Sequence, residues 1–592
     1  MTLEIGLTLT IIILAVVLFA TEKLRVDLIA LMVLLTTALL GLVTPEEAFA
    51  GFANPAVITV WAVYIVSGGL FITGVADVLG ERIIRLAGNS EPRLIAVIMI
   101  TCGSMSAFMN NIGATAVLLP AVVGISRQAK IPLSRLLMPL AFSSLMGGNM
   151  TLIGTPPNIL ATAMLAERGQ TSFSFFDFAP MGIIVFATGI VYMVFAGRFL
   201  IPLRQPLTTE DAYQLQEYVS EVRVLPESKL VGQNLFESRL GADYDLNVLF
   251  IIHEGVTKST PHRNTVIQAG DILIVEGALD NLLRAQEQLG LVIEAERKLG
   301  LAQVAGDDYA IVEATLAPRS TISGRSLRGI EFRDHYGFTA LAIRRHGEVI
   351  RDRLRDVRLE FGDTLLLKGP RHRLISLQQA NEFLLLEPVQ LETRRREKAL
   401  LAVGIMGLAL FLVTFLNVHI SMALVIGSVL MVLTGCLTMD EAYQSIEWRS
   451  IFLIAGMLPL GTAMESTGTA RYLADLLVLY LGEYGPIAVL GGVYLFASLL
   501  TQPMSNAAAT VLIVPIAIDI ALGLGADPRP FVLATVIGAS TSFLTPVGHQ
   551  ANILVFGPGG YKFTDYTRVG LPLTIVILIV TMFTLPLLWP LY

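Results

Sequence analysis

Six stretches of this chain are apolar and too long for a soluble core: Ile5–Thr21, Leu28–Val43, Val57–Val75, Met181–Ala196, Leu400–Leu416 and Leu571–Leu588. None contains Asp, Glu, Lys or Arg. About 20 such residues in a helix cross the hydrocarbon of a bilayer. A helix is also the one local structure that satisfies its own backbone there. The chain is 54% hydrophobic and 15% charged, which is a membrane composition and excludes an ordinary soluble enzyme. Ile5–Thr21 lacks a basic start and a small-residue cleavage site, so it is read as a retained helix rather than a signal peptide. Both cysteines, Cys102 and Cys436, fall in apolar segments, which excludes a disulfide framework or a thiolate metal site. The seven histidines form no HExxH pattern, and no Walker loop is present.

Charge is concentrated in the middle. Residues 205–393 hold 21 of the 41 Lys and Arg and 28 of the 48 Asp and Glu, so this segment carries the whole net charge of −7. It reads as a soluble insert between two membrane blocks, bordered by Arg198, Arg204 and Arg394–Arg396.

Both parts are internally repeated. GLVTPEEAF from Gly41 matches GCLTMDEAY from Gly435, at an offset of 394. Asn111 and Pro120 meet Asn506 and Pro515 at 395, and Asn158-Ile159-Leu160 meets Asn552-Ile553-Leu554 at 394. The membrane part is therefore one unit written twice, over residues 1–203 and 397–592. In the insert, Pro226, Ser228, Gly232 and Leu235 recur 92 residues later as Pro318, Ser320, Gly324 and Leu327. GDILIVEG from Gly270 recurs as GDTLLLKG from Gly362. Short apolar runs bounded by Gly-Asp turns predict two small α+β domains.

Positive residues set the topology. With Arg93–Ser126 and Pro486–Leu522 taken as re-entrant hairpins, each unit crosses five times, and the odd number inverts the second unit. An outside N-terminus puts every membrane-block Lys and Arg inside except Arg168, Arg471 and Arg529, and places residues 205–393 in the cytoplasm. The fold class expected is thus an α-helical polytopic membrane protein of two inverted repeats, with two small α+β domains inserted between them.

Each unit carries two polar interruptions: Ser106–Gly113 and Gly154–Asn158 in the first, Thr501–Ala507 and Leu544–His549 in the second. Proline removes a backbone donor and breaks a helix. Irregular backbone at membrane depth survives only where protein buries it or water fills a cavity beside it. Paired breaks in inverted halves point to a transporter's binding site. Freed carbonyls with Asn, Ser and Thr oxygens suit a hard cation, while half-helix N-termini and Asn amides offer donors to an anion. Two ionisable residues lie close by. Glu465 matches Phe71 of the other unit and reads as a residue near the outer helix end, or else a proton-coupling carboxylate. His549 abuts the second break and either meets substrate, titrates during transport or bonds a freed carbonyl.

With these tips and breaks, the membrane blocks resemble the divalent anion:sodium symporter family along almost their whole length. In that family each hairpin tip reads Ser-Asn-Thr, with a hydroxyl residue four positions earlier. The resemblance implies one sodium ion around Ser106, Asn110, Asn111 and Gly154. It implies a second around Thr501, Ser505, Asn506 and the carbonyl of Leu544. It sets a dicarboxylate or sulfate between the tips, against Asn110, Asn111, Thr155, Pro156, Ser505, Asn506, Thr545 and Pro546. The threonine of each tip is replaced here, by Ile112 and by Ala507. That favours a small oxyanion, sulfate first and a dicarboxylate second.

The insert units, residues 213–296 and 308–390, resemble TrkA-C domains, regulatory modules of ion transporters. This resemblance implies a homodimer and a small ligand, a nucleotide included. Neither unit has a GxGxxG fingerprint, which argues against Rossmann-type binding. The basic cluster Arg344, Arg345, His346, Arg351, Arg353 and Arg355 reads as a solvated face, with a phosphate site as the alternative. The expectation is an integral membrane protein of a bacterial inner membrane that acts on a small anion and not on nucleic acid, with no enzymatic activity. Sodium-coupled symport leads. A proton-driven exchanger or efflux carrier and a ligand-gated channel stay open.

Overall fold

A computed structural model describes the chain except for residues 1, 22–23, 76–89, 204–218, 245, 254–255, 260–263, 277–278, 294–308, 317–319, 346–347, 351–353, 361, 371–372, 380–381 and 386–394. Asp77, Arg82, Arg85, Arg204, Arg394 and half of the basic cluster (His346, Arg351, Arg353) lie outside the described residues.

The two membrane blocks repeat one element order. Helices Leu3–Thr21, Val26–Leu39, Pro45–Ala53 and Pro55–Ile72 correspond to Ala399–Leu416, Ile420–Leu433, Met439–Ser445 and Trp448–Ser466. The matched sequences fold alike because their local chemistry is alike. Thr44 with Glu47, and Thr438 with Glu441, each close a capping box that satisfies the first free N–H groups of a short helix. A hairpin follows in each block: Glu91–Ser106 and Asn111–Ala129 in the first, Pro486–Leu500 and Asn506–Gly523 in the second. The incoming arms have 16 and 15 residues, about 24 and 22 Å at about 1.5 Å per residue, so both stop short of a roughly 30 Å hydrocarbon core. Next come a helix, a break and a half-helix: Ser134–Gly148 then Pro156–Glu167, and Pro528–Ser540 then Gln550–Phe556. Each block ends on a long apolar helix, Ala179–Leu200 and Phe563–Leu588.

The blocks interlock reciprocally. Val26–Leu39 packs on Trp448–Ser466, and its counterpart Ile420–Leu433 packs on Pro55–Ile72. Close approach requires small residues: a Cβ on Gly456 would lie 2.9 Å from the Ala30 carbonyl carbon. In the same crosswise manner, Asn506–Gly523 packs on Pro156–Glu167, and Asn111–Ala129 on Gln550–Phe556. Among the described residues, six helices are long and apolar enough to cross a membrane, and the pair Trp448–Ser466 and Thr469–Tyr484, bent by 70°, adds a seventh. Exposed Leu39, Phe195, Leu400, Phe415, Leu433 and Leu587 give the outer helices the surface that lipid requires.

The insert contains two five-stranded antiparallel sheets. The first has strands β1 Val219–Val224, β2 Asn247–His253, β3 Val256–Ser259, β4 Ile272–Glu276 and β5 Leu291–Ile293, in the order β3-β2-β4-β1-β5. The second has β6 Tyr309–Leu316, β7 Thr339–Arg345, β8 Glu348–Ile350, β9 Thr364–Pro370 and β10 Phe383–Leu385, in the order β10-β6-β9-β7-β8. Each strand of one sheet has its counterpart in the other, and both sheets carry a register shift at the same place, Val248/Phe250 and Ala340/Ala342. The Gly-Asp turns use Gly270 and Gly362 at φ 86° and 87°, which glycine tolerates.

Candidate functional site

Two buried oxygen clusters occupy equivalent places where a hairpin tip meets a broken helix. In the first, Ser106 Oγ stands 2.7 Å from Asn111 Oδ1 and 2.7 Å from the Ser144 carbonyl. In the second, Thr501 Oγ1 stands 2.7 Å from Asn506 Oδ1 and 2.7 Å from the Ala539 carbonyl. Ser106, Asn111, Thr501 and Asn506 are all at most 5% exposed. Each asparagine begins the outgoing arm, and the same-arm hydroxyls of Thr115 and Thr510 bond their carbonyls at 2.9 and 2.8 Å.

In the first cluster the Asn111 amide oxygen faces oxygens. A half-turn of the amide would bring its nitrogen to 2.7 Å from Ser106 Oγ, 3.2 Å from Ser144 O and 3.3 Å from Gly154 O. Oxygens converging with too few hydrogens among them are satisfied either by that half-turn or by a cation. In the second cluster Asn506 Oδ1 accepts from Thr501 and from Ser542, each at 2.7 Å. Its Nδ2 is buried and has no hydrogen-bond partner among the described residues. The oxygens are neutral and hard, a set suited to an alkali cation rather than to a soft metal. Among the described residues no three His, Cys, Asp or Glu stand together to hold a metal.

The breaks are stapled in identical fashion. Asn158 Nδ2 donates to the carbonyls of Gly148 at 3.2 Å and Thr151 at 2.7 Å. Asn552 Nδ2 donates to those of Ser542 at 2.6 Å and Thr545 at 3.3 Å. The donors reach ten and seven residues back in both cases, so non-helical backbone keeps one shape in the two halves. The half-helices then begin at Pro156, after Thr155, and at Gln550, after His549.

Other expected site residues fall around these clusters. Asn110 Oδ1 accepts from Ile112 N at 3.1 Å and Ser505 Oγ from Ala508 N at 3.3 Å, so both cap the outgoing arms. Gly154 is in the first cluster's shell, and with Asn110 and Pro156 it lines a narrow cavity that Val60 and Tyr64 close from Pro55–Ile72. The Leu544 carbonyl instead accepts from Thr567 at 2.9 Å. Its place beside Thr501 is taken by the Ala539 carbonyl and Ser542. Thr545 and Pro546 precede the half-helix by several residues, so the counterpart of Thr155 is His549 rather than Thr545. Thr545 Oγ1 accepts from Gly548 N at 3.0 Å.

His549 Nδ1 accepts from Ala551 N at 3.1 Å, so it caps the half-helix and does not bond a freed carbonyl. Glu465 is ion-paired to Arg168 at 2.8 Å, and Arg168 also meets Asp519 at 2.8 Å. Sequence reasoning missed Ser542, Ala539, Ser144 and the stapling role of Asn158 and Asn552. The two asparagines were visible as part of the repeat, but a serine or a carbonyl inside an apolar run carries no local signal.

Repeated membrane blocks with matching buried polar breaks are an arrangement common among transporters. The chain belongs to the citrate transporter family, whose model matches residues 16–538. It is 38% identical to an uncharacterized transporter of Synechocystis, over 98% of this chain and 96% of that one. It is 33% identical to an uncharacterized transporter of Escherichia coli, over 99% of each chain. Sodium/sulfate cotransporter 2 of Chlamydomonas reinhardtii is 22% identical over 92% of this chain and 85% of its own length. The protein is an integral membrane transporter and not an enzyme.

Proposed function

We propose that the protein carries a small divalent oxyanion together with sodium, sulfate first and a dicarboxylate second. The observation that carries this reading is the Asn506 amide. Its oxygen accepts from two hydroxyls in the buried cluster, while its nitrogen is buried without a partner among the described residues. One side chain thus turns an oxygen toward a cation and a donor toward an anion. A buried donor left unsatisfied costs roughly 1–3 kcal/mol, which a bound anion recovers. Binding of the two ions is then mutually dependent, because one amide serves both and the cation offsets the anion's charge. Loaded and empty carriers cross, and half-loaded ones do not. The replacement of the tip threonines by Ile112 and Ala507 supports a compact anion, and the name of the Chlamydomonas relative accords with sulfate.

The site belongs to a protein of a bacterial inner membrane with residues 205–393 in the cytoplasm, assembled as a homodimer and regulated through the insert. The second sheet supports regulation by its contact with the membrane block. A Cβ on Gly557 would lie 2.5 Å from Thr315 Cγ2, and Arg344 Nη2 donates to the Pro558 carbonyl at 3.4 Å. Gly557 directly follows the half-helix Gln550–Phe556. A cleft of about 330 Å3 lined by His335, Tyr336, Arg373, Ser376 and Leu377 offers room for a small anionic ligand, a nucleotide included. Two members of the basic cluster depart from the solvated-face reading: Arg344 is buried, and Arg345 is bound to the buried Asp363 at 2.8 Å and to Glu360 at 2.6 Å.

Uptake of labelled sulfate, succinate and citrate into proteoliposomes, with and without an inward sodium gradient, tests the reading. Sulfate uptake that needs sodium is expected. Uptake that ignores sodium and follows a proton gradient overturns the coupling. Asn506→Ala is expected to abolish coupled uptake in a folded protein, and near-normal uptake refutes the site.

A further inference from the structure

We propose that Ser542 is a ligand of the second cation site and gives the two sites different ligand sets; this rests on the sodium reading above. The spacing from the cluster carbonyl to the staple differs by one residue between the repeats. Fourteen residues separate Ser144 from Asn158, and thirteen separate Ala539 from Asn552. The asparagine staples fix the correspondence across that difference, since Asn158 holds the Gly148 carbonyl as Asn552 holds that of Ser542. Ser542 therefore stands where the first repeat has Gly148.

The exchange changes the site itself. A Cβ built on Gly148 would lie 2.6 Å from Asn111 Oδ1 and 3.1 Å from the Gly154 carbonyl, so the first site excludes a side chain there. In the second repeat the side chain is present and points the same way. Ser542 Oγ is 2.7 Å from Asn506 Oδ1 and 3.3 Å from Thr501 Oγ1, and the residue is fully buried. Ala539 O completes the group through Thr501 at 2.7 Å.

Four oxygens thus converge with two hydroxyl hydrogens among them. Without a cation, both hydroxyls direct their hydrogens into this group. With one bound, both rotate and present lone pairs, with no backbone movement required. The first cluster has Ser106 as its hydroxyl, with Asn111 Oδ1 and the carbonyls of Ser144 and Gly154. Each cluster thus has four neutral oxygens, but the second is made of two hydroxyls, an amide oxygen and one carbonyl where the first has one hydroxyl, an amide oxygen and two carbonyls, so Ser542 Oγ supplies the ligand that the Gly154 carbonyl supplies in the first.

The test is thermal protection of the detergent-purified full chain by sodium chloride, with choline chloride holding ionic strength constant. Ser542→Ala is expected to raise the sodium concentration for half-maximal protection about tenfold, equivalent to about 1.4 kcal/mol. Ser542→Thr, which retains the hydroxyl, is expected to restore most of the response. If wild-type protein is not protected by sodium, the sodium reading itself fails. If wild type is protected and Ser542→Ala responds at the same concentration, sodium stands and the assignment of Ser542 falls. Ser542→Gly copies the residue of the first repeat and serves as the same test where the alanine protein does not fold.

Discussion

At the scale of single residues, the site depends on asparagines in two different roles. Asn111 and Asn506 face the oxygen clusters, and Asn158 and Asn552 hold the breaks open. Replacing Asn158 by Ala would free two buried carbonyls that now accept from Nδ2. Each such loss costs roughly 1–3 kcal/mol, so a clear fall in melting temperature is expected, together with loss of uptake. Asn158→Asp keeps the shape but lacks both donors, and a melting temperature equal to wild type would refute the staple. Glu465 makes the opposite case. Its side chain is 53% exposed, so its ion pair with Arg168 is worth about 0–1 kcal/mol. Glu465→Gln is expected to leave the melting temperature nearly unchanged and the pH dependence of uptake unaltered. A shifted pH profile would instead mark it as a proton carrier. Asn111 and Asn506 were legible in the sequence because they recur. Ser542 was not, because its meaning depends on a carbonyl correspondence that only folded backbone displays.

At the scale of elements, the breaks and hairpins were legible because proline and glycine interrupt a helix, and an asparagine inside an apolar run demands a polar partner. Their pairing was harder to read. Thr545-Pro546 looks like Thr155-Pro156, yet the half-helix starts at Gln550, after a longer stretch of irregular backbone. Local similarity was overruled there by the staple of Asn552, which sets the phase of the break. The contact of the second sheet with Gly557 gives a prediction at this scale. Gly557→Val would force the sheet away from the end of the half-helix, since a Cβ there already collides with Thr315. The variant is expected to remain a transporter with altered rate, and to show increased proteolysis of the segment around Thr315. Unchanged uptake together with increased cleavage would refute regulation through this contact.

At the scale of the whole molecule, the reciprocal packing of the blocks sets each hairpin's outgoing arm against the half-helix of the other block. Gly456 against Ala30 is a contact of this kind. Gly456→Leu is expected to prevent folding or lower the melting temperature strongly, because overpacking of this sort typically costs about 1–3 kcal/mol or more. A protein with wild-type stability would show that the blocks are not locked there. The sequence by itself determined the membrane class, the double repetition of block and insert, and the location of the polar interruptions. Hydrophobic length, periodicity and helix-breaking residues are local properties, and a chain reveals them in order. The tertiary structure alone decided which oxygens converge, that Leu544 bonds Thr567 while Ser542 enters the cluster, and that Glu465 is ion-paired. Those outcomes depend on groups tens to hundreds of residues apart, brought into hydrogen-bond reach by packing that no local pattern encodes.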